Sequence, residues 1–228
     1  MQLSDVHGHI ASHASIMLDG RIDPDTAGLA RMATLVASVR SENPDSLLLL
    51  VGDATHGTAE MMFSLGEAIM PALNSLGVDV FLPGNWDFGW GPRVYRQRFT
   101  ADTSTPLSAN NRTTLAWMDG LPGREGQQCA QPGGSVPYAQ CHVTKAAFPS
   151  VANNLYSYNE VTRQRGDLVH PPYVLRDVGG VTVGIIGITS DSVPHQARAF
   201  NAGFRFTMGF EELPENIANA SAEGADII

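Results

Sequence analysis

Three short polar clusters in the sequence carry residue types that bind metal ions. Asp5 and His7 are two residues apart, Asp53 follows a glycine, and Asn85 follows another. Residues two apart in an extended segment project to the same side, so one carboxylate and one imidazole can share an ion. A carboxylate such as that of Asp53 can bridge two cations, and Asn85 offers a neutral carbonyl oxygen. This mixture of oxygen and imidazole ligands favours Mn, Fe or Zn.

Alternating strands and helices are predicted to position these clusters. Apolar residues recur at helical spacing in two segments, and short apolar runs follow or precede them. The predicted order is a strand ending at Asp5, a helix over 29–39, a strand over 46–51, a helix over 62–76 and a strand over 78–82. This β-α-β-α-β order predicts parallel strands, whose carboxyl ends meet at one edge of the sheet. All three polar clusters lie at such ends, so we expect them to converge.

The rest of the chain is predicted to complete a single domain over residues 1–228. Residues 102–149 are rich in Gly, Pro, Gln, Ser and Thr, which favours a loop-rich insertion. Cys129 and Cys141 lie inside it, either as free thiols or as a disulfide that closes a surface loop. Beyond it we predict a strand over 151–153, a hairpin over 173–188 around Gly179-Gly180, a helix over 210–217 and a strand beginning at 226.

Composition excludes several functional classes. The formal net charge of -9 argues against binding to a nucleic-acid backbone, which requires clustered Lys and Arg. No apolar run approaches the roughly 20 residues that span a membrane, so no transmembrane segment is expected. The first ten residues hold Asp5 and two histidines instead of a basic segment followed by an apolar one, so they do not read as a signal peptide.

Three segments resemble the calcineurin-type metallophosphoesterase superfamily, and within it the 5′-nucleotidase branch. Residues 4–9 read Ser-Asp-Val-His-Gly-His, residues 52–57 read Gly-Asp-Ala-Thr-His-Gly, and residues 184–189 read Gly-Ile-Ile-Gly-Ile-Thr. The resemblance implies a four-layer α/β/β/α sandwich and a centre of two divalent metal ions. It implies that Asp5 and His7 bind one ion, Asp53 bridges both, and Asn85 binds the other. The implied function is hydrolysis of small-molecule phosphate esters by a metal-activated water, in a periplasmic or secreted enzyme.

One departure from the family pattern concerns the residue after Asn85. The family has a histidine there, with an aspartate three residues further on, and this chain has Trp86 and Gly89. An indole cannot act as a general acid near neutral pH, so a good leaving group becomes more important. The run from Trp86 to Gly91 resembles the SoxB-type thiosulfohydrolases of the same superfamily. That alternative implies a cysteine-S-sulfonate on a carrier protein as the substrate.

A second departure concerns the histidines that the family places on later strands. Only His195 follows Ile188, and it lacks the family's sequence context. We therefore expect a domain that is truncated at its C-terminal end, with the second metal site incomplete. The remaining alternative, of a different class, is a binding or scaffold domain that keeps the fold without catalysis.

Several other residues are weaker candidates, each with a structural explanation of comparable weight. A lone histidine after a strand is commonly a surface group, and an asparagine is commonly a turn former. The arginines of one segment could bind an anion, but a solvated helix face is the simpler prediction. The candidates for substrate binding are His9, His56, Trp86 and Asn153, and the arginines are Arg93, Arg96 and Arg98.

Overall fold

The computed structural model describes residues 1–102, 104–124, 126–129 and 136–228. Its strands are β1 (Gln2–Ser4), β2 (His13–Ile16), β3 (Ile22–Thr26), β4 (Leu49–Val51), β5 (Val80–Leu82), β6 (Leu155–Asn159), β7 (Gln164–Leu168), β8 (Tyr173–Val178), β9 (Val181–Ile186) and β10 (Phe204–Phe206). Its α-helices are α1 (Leu29–Glu42), α2 (Ala59–Ser64), α3 (Met70–Ser75), α4 (Pro92–Phe99), α5 (Ala109–Asp119), α6 (Val193–Gln196), α7 (Arg198–Asn201) and α8 (Leu213–Ala222). Three 3₁₀ helices cover Glu67–Ile69, Trp86–Trp90 and Tyr138–Gln140.

A parallel sheet of β1, β4 and β5 forms the centre of the N-terminal half. β4 lies between the other two strands, and Leu50 is the register partner of both Leu3 and Phe81. All three side chains are buried in the main hydrophobic core. The crossovers between these strands contain α1 and then α2 with α3, which confirms the predicted β-α-β-α-β order. β4 and β5 end where predicted but begin later, at Leu49 and Val80, and β1 ends one residue before Asp5.

The single helix predicted over 62–76 is wrong, because the chain breaks between α2 and α3. Leu65 and Gly66 have positive φ angles of 54° and 77°. A Cβ atom on Gly66 would lie 2.8 Å from the carbonyl oxygen of Thr55 and 2.9 Å from Arg98 Nη1. Apolar spacing indicates helix on both sides of this point, but only glycine fits the close approach.

The C-terminal half adds an antiparallel hairpin and a second three-stranded sheet. The β8–β9 hairpin turns at Gly179 and Gly180, both with positive φ, and α8 packs against both of its strands. The second sheet has the order β10-β6-β7. The strand predicted over 151–153 is wrong. Only an isolated bridge forms there, between Ser150 and Phe81 of β5, and Ala152 and Asn153 bond to loop residues. A parallel bridge pairs Ile227 with Val183, consistent with the predicted strand start at 226.

The predicted insertion over 102–149 contains more regular structure than its composition suggests. It holds α5 and the 3₁₀ helix Tyr138–Gln140, and a disulfide joins Cys129 to Cys141. It forms a small hydrophobic core with α4, made of Val94, Leu107, Leu115, Met118, Cys129, Cys141 and Val143. The described part of the insert therefore packs around a core of its own instead of forming a solvated loop. Among the described residues, no helix combines the length and apolar character needed to cross a membrane.

Arg93 of α4 is exposed, as predicted for a solvated helix face, but Arg96 and Arg98 are not. The side chain of Arg98 is fully buried and pairs with the equally buried carboxylate of Glu67 at 2.5 Å. Arg96 is half-buried, with its guanidinium 4.7 Å from the centre of the Phe204 ring. The helix therefore packs two of its three arginines against the core and the second sheet.

A buried histidine that contacts α4, His170, makes the stability of the fold depend on pH. His170 is 4% exposed, and its Nε2 lies 2.6 Å from the hydroxyl of Tyr95. Burial, with a smaller contribution from the charge of Arg96, lowers the pKa of His170 from 6.5 to about 3. Burial also raises the pKa of Tyr95 well above its usual value, so its phenol stays protonated and can donate to the neutral imidazole.

We predict that His170 destabilises the fold as the pH falls below 6.5. Its folded pKa of about 3 lies below its unfolded value, so only the unfolded chain takes up this proton in between. The contribution of neutral His170 to the free energy of unfolding is fully present above pH 6.5. About 2 kcal/mol of that free energy is lost by about pH 5. His170→Gln should lack this loss when unfolding free energies are compared in urea at both pH values. The matched control is His142→Gln, at an exposed position. An unchanged pH dependence in His170→Gln would contradict the assignment.

Candidate metal centre

Asp5, His7 and Asp53 converge at the carboxyl ends of the adjacent strands β1 and β4. The Nε2 atom of His7 lies 3.7 Å from Oδ1 of Asp5 and 3.7 Å from Oδ2 of Asp53. One ligand atom from each residue lies within 4.8 Å of the other two. The sequence predicted this meeting from the parallel order of the strands.

The spacing and donor types of this cluster fit a divalent metal ion. Ligand atoms about 2.1 Å from one ion lie at most about 4.2 Å apart, so both 3.7 Å separations suit a shared ion. Two carboxylates and one imidazole are the hard and borderline donors that Mn, Fe and Zn accept. Asp53 is 8% exposed, whereas Asp5 is open to solvent. The cluster therefore has one protected side and one accessible side.

All three residues have a backbone conformation that is uncommon for non-glycine residues. The φ angles of Asp5, His7 and Asp53 are 52°, 45° and 50°. Hydrogen bonds between the two loops hold these angles: Asp5 N donates to Gly52 O at 3.1 Å, and His7 N donates to Asp53 O at 2.8 Å. Left-handed residues of this kind cost free energy and are concentrated at functional sites. Their occurrence at three adjacent candidate ligands supports a role beyond folding.

Two glycines allow the loops after β4 and β5 to pack against each other. A Cβ atom on Gly84 would lie 2.3 Å from Oδ1 of Asp53, and one on Gly52 would lie 2.8 Å from Cα of Gly84. Neither contact is possible for a side chain. The glycines that precede Asp53 and Asn85 are therefore required for the close approach of the two polar clusters.

Asp87 organises these loops, a role that the sequence analysis missed. Its fully buried carboxylate accepts hydrogen bonds from the backbone N–H groups of Asp53, Ala54, Thr55 and Gly84, at 2.9 to 3.1 Å, and from the Thr55 hydroxyl at 3.2 Å. Burial raises the pKa of Asp87, and the N–H donors oppose that rise. The only feature of the sequence that indicates a role for Asp87 is its position in the polar cluster that follows β5.

Neighbouring polar groups fix the orientation of two of the candidate ligands. The Nδ1 atom of His7 lies 3.2 Å from the carbonyl oxygen of His56, so Nδ1–H is the donor and Nε2 keeps its lone pair. Trp86 N donates to Oδ1 of Asp53 at 2.8 Å, which leaves Oδ2 towards His7. Both free donor atoms thus point into the same cluster.

Asn85 follows β5, in the loop that packs against the loop of Asp53. It precedes the 3₁₀ helix Trp86–Trp90 and is partly buried. Its two neighbours bond to the acidic residues of the site, with Gly84 N on Asp87 at 3.0 Å and Trp86 N on Asp53 at 2.8 Å. Its placement therefore agrees with a ligand role, which stays a prediction.

An aromatic group borders the cluster on the side of β5. The ring of His56 lies 4.8 Å from the rings of both Trp86 and Trp90, and Phe200 of α7 meets Trp86 edge-on at 6.2 Å. Burial, followed by the charge of His7, lowers the pKa of His56. Trp86 is 37% exposed, so an apolar surface is available next to Asp53.

The other two weak candidates lie in contrasting surroundings. His9 stacks on His13 with ring centres 4.1 Å apart, and burial, followed by the charges of His13 and His7, lowers its pKa. Asn153 is fully buried, and its amide donates to the carbonyl of Gly209 at 3.2 Å. Its Oδ1 atom has no hydrogen-bond partner among the described residues. His9 is thus near the cluster, whereas Asn153 is packed beneath the surface.

We predict that Asp87→Asn weakens both the fold and metal binding at the cluster. An amide would turn its NH₂ group towards backbone donors, so at least one buried donor would lose its acceptor, at a cost of about 2–4 kcal/mol. The Mn²⁺ affinity should fall roughly 10–100-fold, because the loop that carries Asp53 loses its support. Chemical denaturation and titration calorimetry measure the two effects. Asp191→Asn, at an exposed position, is the control. Unchanged Mn²⁺ affinity in a folded Asp87→Asn protein would contradict this role.

The chain is similar to known phosphoesterases in sequence and in fold. The family model of the calcineurin-like phosphoesterases matches residues 1–172. The chain is 27% identical over 168 residues to a 5′-nucleotidase of Bos taurus, a match that covers 73% of this chain and 21% of that protein.

Two solved structures, both of proteins from Thermus thermophilus, share the fold over 99% of this chain. They are a 5′-nucleotidase precursor, with 20% identity and a TM-score of 0.65, and the sulfate thiohydrolase SoxB, with 16% identity and a TM-score of 0.66. The chain covers 35% and 42% of these two proteins, and about a fifth of the bovine relative. These similarities confirm the expected α/β metallophosphoesterase fold. The chain belongs to the calcineurin-like phosphoesterase family.

Proposed function

We propose that this chain is the metal-binding part of a divalent-metal-dependent hydrolase of phosphate esters, similar to the 5′-nucleotidases. The observation that carries the proposal is the convergence of Asp5, His7 and Asp53, with Nε2 of His7 3.7 Å from both carboxylates. The 5′-nucleotidase of Bos taurus, which the chain matches over 73% of its length, supports the same substrate class.

Within this proposal, each residue has a distinct role. Asp5 and His7 would hold one ion, Asp53 would be shared with a second, and Asn85 would contribute to the second site and to binding of the substrate oxygen. When bound, the Mn, Fe or Zn ions supply Lewis acidity that polarises the ester and lowers the pKa of a water molecule. The chain's own contribution is orientation, because Asp87 and Trp86 N fix the carboxylate of Asp53.

A second candidate function is cleavage of a cysteine-S-sulfonate on a carrier protein. The observation in its favour is Trp86, which is 37% exposed beside Asp53 and stacks on His56. An indole donates one N–H but cannot transfer a proton to an alkoxide leaving group near neutral pH. A leaving group of low pKa needs no such acid, so this residue suits a sulfur leaving group better than an alcohol.

We further propose a periplasmic or secreted location. The disulfide between Cys129 and Cys141 supports it, because disulfides persist in oxidising compartments and are rare in the cytosol.

The experiment is a pair of hydrolysis assays with Mn²⁺, on AMP and on S-sulfocysteine. Asp53→Ala should lower the rate on the preferred substrate by more than ~100-fold, because it removes a carboxylate proposed to bind the metal ions directly. The matched control is Asp191→Ala, at an exposed position, which should leave the rate unchanged. Activity that is equal in wild type and Asp53→Ala would contradict the proposal, and absence of both Mn²⁺ binding and hydrolysis would favour a non-catalytic scaffold domain.

The same assays separate the two substrates. A preference for AMP supports phosphoester hydrolysis, and a preference for S-sulfocysteine supports the thiosulfohydrolase alternative. Trp86→His should raise the rate on AMP relative to S-sulfocysteine by roughly tenfold or more, because it introduces a general acid at that position. A ratio that does not move would show that Trp86 does not determine the leaving group.

A further inference from the structure

A cavity of about 800 Å³ lies between the insert and the body of the domain, formed by residues other than those of the metal centre. One wall comes from Pro71 of α3 and Gln97 of α4. The opposite wall comes from the insert. It includes residues that precede Cys129 and residues around Cys141, the disulfide partner of Cys129. This volume is within the range of pockets that bind small organic molecules.

The lining of this cavity is cationic although the chain is acidic. Arg124 and Lys145 face it, and Lys145 is the only lysine in a sequence of net charge -9. Among the lining residues that the structure describes, none is an aspartate or a glutamate. Four glutamines add amide groups, and apolar residues that include Pro71, Pro106 and Val143 complete the walls.

In the part of the chain that the structure describes, the two buried carboxylates nearest this wall, Glu67 and Asp119, are bonded to other groups. Glu67 lies behind the wall, where it pairs with Arg98 and accepts from the Gln128 amide. Asp119 accepts from the backbone N–H of Gln128. Arg124 donates to Oε1 of Gln128 at 2.6 Å, so its own partner is a neutral amide.

The cavity is held open by contacts that do not involve a ligand. The Gln97 amide donates to the carbonyl of Thr105 at 2.9 Å, and its oxygen accepts from Val143 N at 3.3 Å. Gln128 bonds to Glu67 and to the Thr144 hydroxyl. With the disulfide, these contacts fix both walls before anything binds, which lowers the ordering cost of binding.

We propose that this cavity binds a small organic anion that carries phosphate or carboxylate groups. Arg124 and Lys145 would bind the anionic groups, the glutamine amides would bind other polar atoms, and the apolar walls would contact the carbon skeleton. The site shares no residue with the metal centre, so it is a binding site in addition to the proposed function.

The test is titration calorimetry on the metal-free, disulfide-intact protein at low ionic strength, with citrate and glycerol 3-phosphate as probes. At least one should bind at a single site with a Kd below about 1 mM. Arg124→Gln and Lys145→Gln should each weaken binding about tenfold or more, because each removes a charge-assisted bond. Arg21→Gln is the matched control, since Arg21 carries the same charge on the exposed β2–β3 hairpin.

The choice of probes separates the two sources of negative charge, carboxylate and phosphate. Binding of either probe that depends on Arg124 and Lys145 supports the site. Lys145 is exposed, so Lys145→Gln keeps the test valid if Arg124→Gln fails to fold. Absence of binding by both probes, or equal weakening by Arg21→Gln, would overturn the proposal. Neither result bears on hydrolysis, because no metal is present in the assay.

Discussion

The buried carboxylate of Asp87 is the interaction on which the geometry of the metal centre depends. Removing a carboxylate from water is costly unless hydrogen bonds compensate. Five donors compensate here, and they come from the loops after both β4 and β5. The bond from Asp53 N adds to those that hold this residue at a φ angle of 50°, and Trp86, next to Asp87 in the chain, donates its N–H to the Asp53 carboxylate. The orientation of the Asp53 carboxylate therefore depends on Asp87, a residue that is not itself a candidate metal ligand.

Buried polar contacts extend this organisation from the centre to the insert. Thr55, which donates to Asp87, also accepts from the indole N–H of Trp90 at 3.1 Å. The guanidinium of Arg98 lies next to Gly66, as Thr55 O and the Trp90 indole nitrogen also do, and it pairs with Glu67. Glu67 in turn accepts hydrogen bonds from the insert. The wall of the cationic cavity and the loop of the metal centre are thus connected through side chains that have little freedom to move.

Local patterns predict the central sheet and the convergence of Asp5, His7 and Asp53, because strand periodicity and strand order suffice for both. They do not predict the role of Asp87, because its donors lie up to 34 residues away and four of the five are backbone N–H groups. Arg98 resembles a solvated helical residue until its partner, 31 residues earlier in the chain, is placed beside it. The hairpins β2–β3 and β6–β7 also escape prediction, since their Asp, Gly and Arg content obscures the strand pattern.

The position of a bound ion is the most direct test of whether Asp5, His7 and Asp53 form a metal centre. Anomalous diffraction from crystals of the protein soaked in Mn²⁺ locates manganese without any assumption about activity. The expected result is a peak ~2.0–2.3 Å from Oδ1 of Asp5, Nε2 of His7 and Oδ2 of Asp53. A well-ordered crystal at saturating Mn²⁺ with no peak among these three atoms, or with its strongest peak elsewhere, would contradict the claim that they form a metal centre.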